Sequence, residues 1–267
     1  MRKVGLIAGN GRLPILFAET ARREGVDVVA IAHQGESSPE IEAVVSDLTW
    51  VKVGQLERII RIFKDRGIDH AVMAGGIHKS KALENFEPDE RAMQMLTTLG
   101  AWGDDAILRG VAGVLESEGI RIVESTLFLT KILTTPGTLI GGNPDEAQWR
   151  DIRLGAAVAK GLGEWDIGQC VVVKSGIVLA VEAIEGTDAT IDRVTARDAV
   201  VVKMSKPTQD LRFDVPSVGP ETVDRCNAKG VAVLALEVGK TLLLDKEELL
   251  RRAEATGLKI VGIVPAA

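Results

Sequence analysis

The chain contains no tyrosine, and aromatics make up 3% of its 267 residues. Proteins that read single strands of nucleic acid stack bases on rings, so that class is disfavoured. An excess of positive charge is also missing. The formal net charge is −6 and the pI is near 5.3, the wrong sign for a nucleic-acid backbone binder. A small phosphorylated ligand stays open, because local basic residues decide that. Only three histidines occur, His33, His70 and His78, which excludes a binuclear metallophosphatase built on many imidazoles. There is no P-loop lysine motif, no HExxH helix and no GxSxG nucleophile elbow. Hydrolysis by this chain must therefore run on carboxylates, Mg2+ and preorganised cations.

Cysteine is nearly absent too. Cys170 and Cys226 are far apart, with no CxxC pair, so neither a disulfide framework nor a zinc site is readable. Both are expected to be small buried hydrophobes in a reducing cytosol. No apolar run reaches the roughly 18 residues that span a bilayer, and no signal-peptide core follows Met1-Arg-Lys3. The expectation is a soluble, cytoplasmic protein that at most touches the inner membrane peripherally.

What is present is an alternation of short apolar runs with helical patterns. Residues 3–8, 26–32, 48–53, 70–74 and 120–123 read as strands; 13–24, 56–64, 88–97 and 104–118 read as helices. Such alternation implies parallel βαβ units. The turn-rich stretch from Thr134 to Pro144 reads as a boundary. Residues 1–135 are assigned to a Rossmann-like domain, 136–148 to a linker and 149–267 to a C-terminal mixed α/β catalytic domain. In that second half, 146–162 is a long helix. Residues 170–174 and 177–183 form a hairpin about Ser175-Gly176, 199–204 is a strand, and Pro220 opens a helix.

Several motifs can carry chemistry. Gly9-Asn-Gly11 ends the first strand and opens a helix, a place where backbone donors and the helix dipole hold phosphate. The dinucleotide fingerprint is incomplete: Pro14 takes the third glycine's place, and Ile31-Ala-His-Gln34 offers no acid for a ribose. Gly75-Gly76 ends another strand at what should be the same sheet edge, followed by His78, Lys79 and Lys81. Asp104 and Asp105 precede a helix, where one caps and the other is free for a metal or a hydroxyl. Glu182, Glu185 and Asp188 place three acids within seven residues beside Thr187, a set that suits Mg2+ or, more simply, a helix cap. From Lys206 to Pro220, fifteen residues hold Lys206, Gln209, Asp210, Arg212, Asp214 and three prolines. Proline stiffens such a loop, and its cations can bind phosphate or ribose oxygens.

Seven pieces occur in a particular order: Gly5-Leu-Ile-Ala-Gly-Asn-Gly-Arg-Leu-Pro14, Ala74-Gly75, Gly103-Asp-Asp-Ala-Ile-Leu-Arg109, Asp166-Ile-Gly-Gln169, Leu179-Ala-Val-Glu-Ala-Ile-Glu-Gly-Thr-Asp188, Lys206-Pro-Thr-Gln209 and Arg212-Phe-Asp-Val-Pro-Ser-Val-Gly219. Together they resemble the LpxI-type UDP-2,3-diacylglucosamine pyrophosphatases of lipid A synthesis. The blocks ending at Asp188 and Gly219 are the specific ones. The resemblance implies a two-domain α/β clamshell with the ligand between the halves. It also implies Mg2+-dependent hydrolysis of a UDP-diacylglucosamine glycolipid to UMP and the sugar 1-phosphate, and an essential aspartate at Asp214. On this reading Asp214, Asp188, Lys206 and Arg212 are catalytic, and Asp214, Asp188 and Glu182 hold the metal. Gly9, Gly11, Gly75, Gly76, Asp104, Asp105, Thr187 and Gln209 bind substrate. A homodimer is compatible with it; a nucleic-acid partner is not. Two other classes stay open: a nucleotide-sugar or lipid-binding protein without catalysis, and a nicotinamide-dependent oxidoreductase.

Overall fold

A computed structural model describes residues 2–77, 86–99, 104–207, 209–212 and 214–265. The chain divides into two compact units, Met1–Thr130 with Asp210–Asp214, and Lys131–Gln209 with Val215–Ala267.

The first unit is built on β1 (Lys3–Ala8), β2 (Asp27–His33), β3 (Asp47–Val51), β4 (His70–Ala74) and β5 (Arg121–Ile122), in spatial order β3-β2-β1-β4-β5. Every pairing is parallel. Parallel strands are covered on both faces, which explains why β1, β2 and β4 read as continuous apolar runs. Helix α1 (Leu13–Arg23) packs on β1, β2 and β4. The other face carries α2 (Leu56–Asp65), α3 (Glu90–Thr98) and α4 (Asp104–Ser117). Their Ile59, Phe63, Met95 and Leu115 form one core with Ile7, Ile31 and Met73. The strand order reverses between β1 and β4. In open α/β sheets such a switch point leaves a crevice at the strands' carboxyl ends.

The second unit is a six-stranded sheet in the order β6-β13-β11-β9-β7-β8. These are β6 (Gly137–Ile140), β7 (Cys170–Lys174), β8 (Ile177–Val181), β9 (Val200–Lys203), β11 (Val233–Glu237) and β13 (Lys259–Ile263). The β9, β11 and β13 strands are parallel, while β6, β7 and β8 pair antiparallel. Helix α5 (Glu146–Glu164) starts at a capping box between Asp145 and Gln148. Its Ile152 and Ala159 cover one face of the sheet. Helices α6 (Gly186–Asp192), α7 (Pro220–Lys229) and α8 (Lys246–Thr256) lie on the opposite face, where Ile191, Val223 and Leu249 join Cys170, Leu234 and Leu236. A separate ribbon pairs β10 (Ser217–Val218) with β12 (Leu242–Leu243). The stretch 136–148, expected to be a linker, thus supplies an edge strand and the start of α5. Both cysteines are buried, and burial pushes the Cys226 thiol up to about 12. Among the described residues no helix is long and apolar enough to cross a membrane.

Candidate functional site

In the first unit the predicted glycines meet at the switch point. The Gly9 N–H donates to Ala74 O at 2.8 Å and the Asn10 N–H to Gly76 O at 2.7 Å. The two turns touch backbone to backbone. A Cβ on Gly9 would lie 2.3 Å from Gly76 O, and one on Gly75, at φ +81, would lie 2.3 Å from Asn10 O. Gly11, at φ +80, meets nothing within 4 Å. The close approach of the two turns to each other thus accounts for glycine at positions 9 and 75, and of these three only Gly11 leaves the space beyond its Cα open.

Residues 31–34 carry no acid, and one lies just beyond them. Glu36, three residues past β2, is buried and accepts from Asn10 Nδ2 at 3.3 Å. His33 and Ser37 complete the cluster. His33 Nδ1 bonds Ala8 O at 3.0 Å, and Ser37 Oγ donates to the same oxygen at 2.7 Å. Burial lowers the His33 pKa against the opposing effects of the Ala8 carbonyl and Glu36. Sequence reading stopped at Gln34; the signal was the polar run immediately after it.

The segment Asp210–Asp214 is grouped with this same unit. Arg212 spends its guanidinium on Asp210, from Nε to Oδ1 at 3.0 Å and from Nη2 to Oδ2 at 2.8 Å, and reaches Glu116 of α4 at 3.1 Å. Arg109 adds a second cation 3.5 Å from Asp210. The bond from Arg212 leads the causes that hold the Asp210 carboxyl below its usual range. The Asp214 N–H donates to Asp210 O at 3.1 Å, and Asp214 is exposed. Arg212 thus fastens the segment that carries Asp214, and Asp210, Glu116 and Arg109 are the partners that sequence reading missed. Asp104 and Asp105 form the first turn of α4. His78, Lys79 and Lys81 lie outside the described residues.

The remaining candidates lie in the second unit. Glu182 is buried, accepting from Thr187 Oγ1 at 3.0 Å and from the Gln169 N–H at 3.2 Å. Asp188 accepts from Thr222 Oγ1 at 3.1 Å and pairs with Arg225 Nε at 3.1 Å. Lys206 pairs with Asp166 at 2.5 Å, and its N–H bonds Gln209 Oε1 at 2.9 Å. Beneath that turn is a network not foreseen. Glu237, at the end of β11, takes Lys160 Nζ at 2.9 Å, the Ser205 N–H at 2.6 Å and Ser205 Oγ at 2.8 Å. A charged residue closing the apolar run of β11 was the available signal.

Among the described residues no three metal-ligating side chains converge, so the protein alone presents no cage. Mg2+ would need only one or two carboxylates, with water and substrate phosphates completing its shell. Glu182 fits best. It is bonded only to neutral donors, and no ion pair reaches it among the described residues, whereas Asp188 already faces Arg225.

A doubly covered parallel sheet with glycine turns at its switch point, followed by a mixed-sheet unit rich in acids and cations, defines a two-domain α/β protein with a Rossmann-like half. The comparisons narrow this. Residues 3–132 match the LpxI N-terminal domain and residues 135–261 the LpxI C-terminal domain. The chain belongs to the LpxI family. It is 32% identical over 279 aligned residues, covering 99% of each chain, to the UDP-2,3-diacylglucosamine pyrophosphatase LpxI of Caulobacter vibrioides. Solved structures resemble it weakly. CobK precorrin-6A reductase matches 100% of this chain and 91% of its own at 12% identity, with a TM-score of 0.34. The biotin carboxylase subunit of pyruvate carboxylase matches 64% of this chain and 34% of its own at 14% identity, with a TM-score of 0.28. Neither bears on fold or function.

Proposed function

We propose that the protein hydrolyses the pyrophosphate bond of UDP-2,3-diacylglucosamine, giving UMP and 2,3-diacylglucosamine 1-phosphate for lipid A synthesis. The observation that carries this is the end-to-end match to the Caulobacter vibrioides enzyme, with both LpxI domains present. Water adds to one phosphorus, the bridging oxygen leaves with the other phosphoryl group, and the proton of water is released. The incomplete dinucleotide fingerprint weighs against a nicotinamide enzyme.

The chain's own groups divide the work. The Gly9–Gly11 and Gly75-Gly76 turns present backbone to the nucleotide or its phosphates. Lys206 and Gln209, on one turn, face phosphate or ribose oxygens, and Lys206 can exchange Asp166 for phosphate because an ion pair this accessible is worth only about 0–1 kcal/mol. Arg212 positions Asp214 by holding Asp210, and Asp214 orients the attacking water. Bound Mg2+ would supply charge neutralisation for the phosphates and a more acidic water. Glu182, Asp188 and Asp214 are the carboxylates proposed to hold it.

The test is UMP release from purified protein and UDP-2,3-diacylglucosamine, with Mg2+ or with EDTA. We expect turnover with Mg2+, none with EDTA, and loss of turnover in Asp214→Ala with folding intact. Ligand bound without UMP release under any divalent cation would replace this reading with a non-catalytic one. Near-normal turnover in Asp214→Ala would remove Asp214 from its role.

A further inference from the structure

Lys203, the last residue of β9, is the one buried lysine or arginine among the described residues, at 7% exposure. Lysines normally keep the ammonium in water. Here it makes one hydrogen bond, from Nζ to Ser217 O at 2.8 Å, and among the described residues no carboxylate lies within ion-pair reach of it. A neutral carbonyl satisfies one of its three donors. An ammonium withdrawn from water without an opposite charge costs free energy, and an anion brought by a ligand would remove that cost.

The sheet explains why no acid of the chain does so. Cys170 pairs with Lys203 on one side, and on the other its O accepts from the Glu182 N–H at 2.8 Å. Glu182, Cys170 and Lys203 thus form a row across neighbouring strands, on the face that Cys170 shares with Ile191 of α6 and Val223 of α7. Neighbouring strands lie about 4.8 Å apart, so roughly 10 Å of sheet separates the two charges. The thiol between them registers both: burial foremost raises the Cys170 pKa, Glu182 raises it further and Lys203 lowers it. Glu182 meanwhile accepts from Thr187 Oγ1 and the Gln169 N–H, not from Lys203.

The acceptor, Ser217, leads directly into α7. That helix of ten residues starts at Pro220 behind Gly219 and has no side-chain cap. Proline brings no donor, so Glu221 and Thr222 supply the first N–H groups at the positive end of the helix dipole. Asp188 also reaches this end, accepting from Thr222 Oγ1 at 3.1 Å, but it is already paired with Arg225 at 3.1 Å. The bond from Lys203 to Ser217 is only partly buried, which leaves a small anion a way to the ammonium. The carboxyl end of a parallel strand, followed by a helix N-terminus, is where α/β sheets take such groups.

We propose that Lys203 and the first turn of α7 form a subsite for a phosphoryl group. The site rests on the buried cation; what carries the phosphoryl group rests on the pyrophosphatase reading above. The nucleotide phosphate and the sugar 1-phosphate offer the same chemistry to it.

Calorimetric titration of the protein in EDTA with inorganic phosphate tests the site without metal or turnover. Phosphate should bind the wild type, and Lys203→Met, folded by circular dichroism, should bind it about 10- to 100-fold more weakly, the worth of a charge-assisted hydrogen bond. Titration with UMP and with glucosamine 1-phosphate then tells the sources apart, since the one that loses affinity in Lys203→Met is the one whose phosphoryl group sits there. If Lys203→Met does not fold, a wild-type crystal soaked in tungstate should show the anomalous peak within hydrogen-bond reach of Lys203 Nζ. Phosphate that does not bind the wild type, or that binds Lys203→Met equally well, overturns the proposal. So does tungstate that settles elsewhere. Protein that binds phosphate through Lys203 yet releases no UMP from UDP-2,3-diacylglucosamine keeps the subsite and removes the pyrophosphatase reading.

Discussion

Glu237 offers the sharpest test of how the Lys206 turn is held. Its side chain is 4% exposed, against 26% for Lys160. Lys160 Nζ reaches both carboxylate oxygens, at 3.0 and 2.9 Å, and also Ser205 O at 2.8 Å. Two Ser205 donors complete the set. Glu237→Gln keeps the shape but turns one oxygen into a donor that must face either an ammonium or the Ser205 N–H. Breaking one side of a buried pair costs about 3–5 kcal/mol, or roughly 6–20 °C of melting temperature at this size. Replacing both partners, Lys160→Met with Glu237→Leu, should recover most of that loss, giving a coupling of about 2–3 kcal/mol. Because Ser205 precedes Lys206, a shift of the turn by about 1 Å would also cost up to ~100-fold in turnover. The pH dependence has a definite sign. Burial alone would raise the Glu237 pKa, but the Lys160 ammonium and the Ser205 donors outweigh it and hold the group below its usual 4.5. Its stabilisation is complete above that value and is lost as pH falls through the lowered one. Glu237→Gln should therefore flatten the acid limb of a urea-unfolding profile. Additive single-mutant costs, or a loss below ~1 kcal/mol for Glu237→Gln, would refute the reasoning.

Gly9→Ala should cost more than Gly11→Ala, since the first has a carbonyl 2.3 Å from the new Cβ and the second only its positive φ; unfolding should show roughly 3 against 1 kcal/mol, and equal losses would contradict the close approach. His33, whose pKa is lowered by burial from 6.5, binds its proton more readily in the unfolded chain, so its contribution is full above 6.5 and is lost as pH falls through the lowered value; His33→Asn should flatten the fall of stability on the acid side of 6.5. Mg2+ alone should raise the melting temperature of the wild type and leave Glu182→Gln unmoved; equal shifts in both would take Glu182 out of the metal's shell.

The parallel half was legible because its strands are apolar runs stopped by glycine, and burial on both faces leaves that imprint. The hairpin of β7 and β8 was legible too, since Ser175 and Gly176 take φ 51 and 76, the double positive turn that matches strand twist. Strand β6 was not. Its four residues include a glycine, its burial is slight, and its partner β13 lies some 120 residues later. Nothing local encodes a pairing of that range. The same holds for Asp210–Asp214, which is tied to the first unit by an ion pair 96 residues apart in sequence. A loop's composition shows that it is stiff and charged, but not which unit it packs on.

Charge pairing explains why the candidates differ in kind. Lys206 and Arg212 look alike in sequence as phosphate ligands, yet their carboxylates use them differently. The Lys206 ammonium meets Asp166 through one bond to a well-exposed partner, which a phosphate can displace at little cost. Arg212 is bidentate to Asp210, whose side chain is 13% exposed, and displacing it would strand a partly buried carboxylate, the expensive kind of loss. The fork therefore holds the Asp210–Asp214 segment, and of the two cations the ammonium is the one that the proposed phosphate could recruit at lower cost. Glu182 inverts the pattern. Its buried carboxylate accepts only from neutral donors, so a cation brought by the proposed ligand would meet an unneutralised charge there. If Glu182 holds the metal, Glu182→Gln should abolish the rise in melting temperature with Mg2+ while the metal-free protein stays folded.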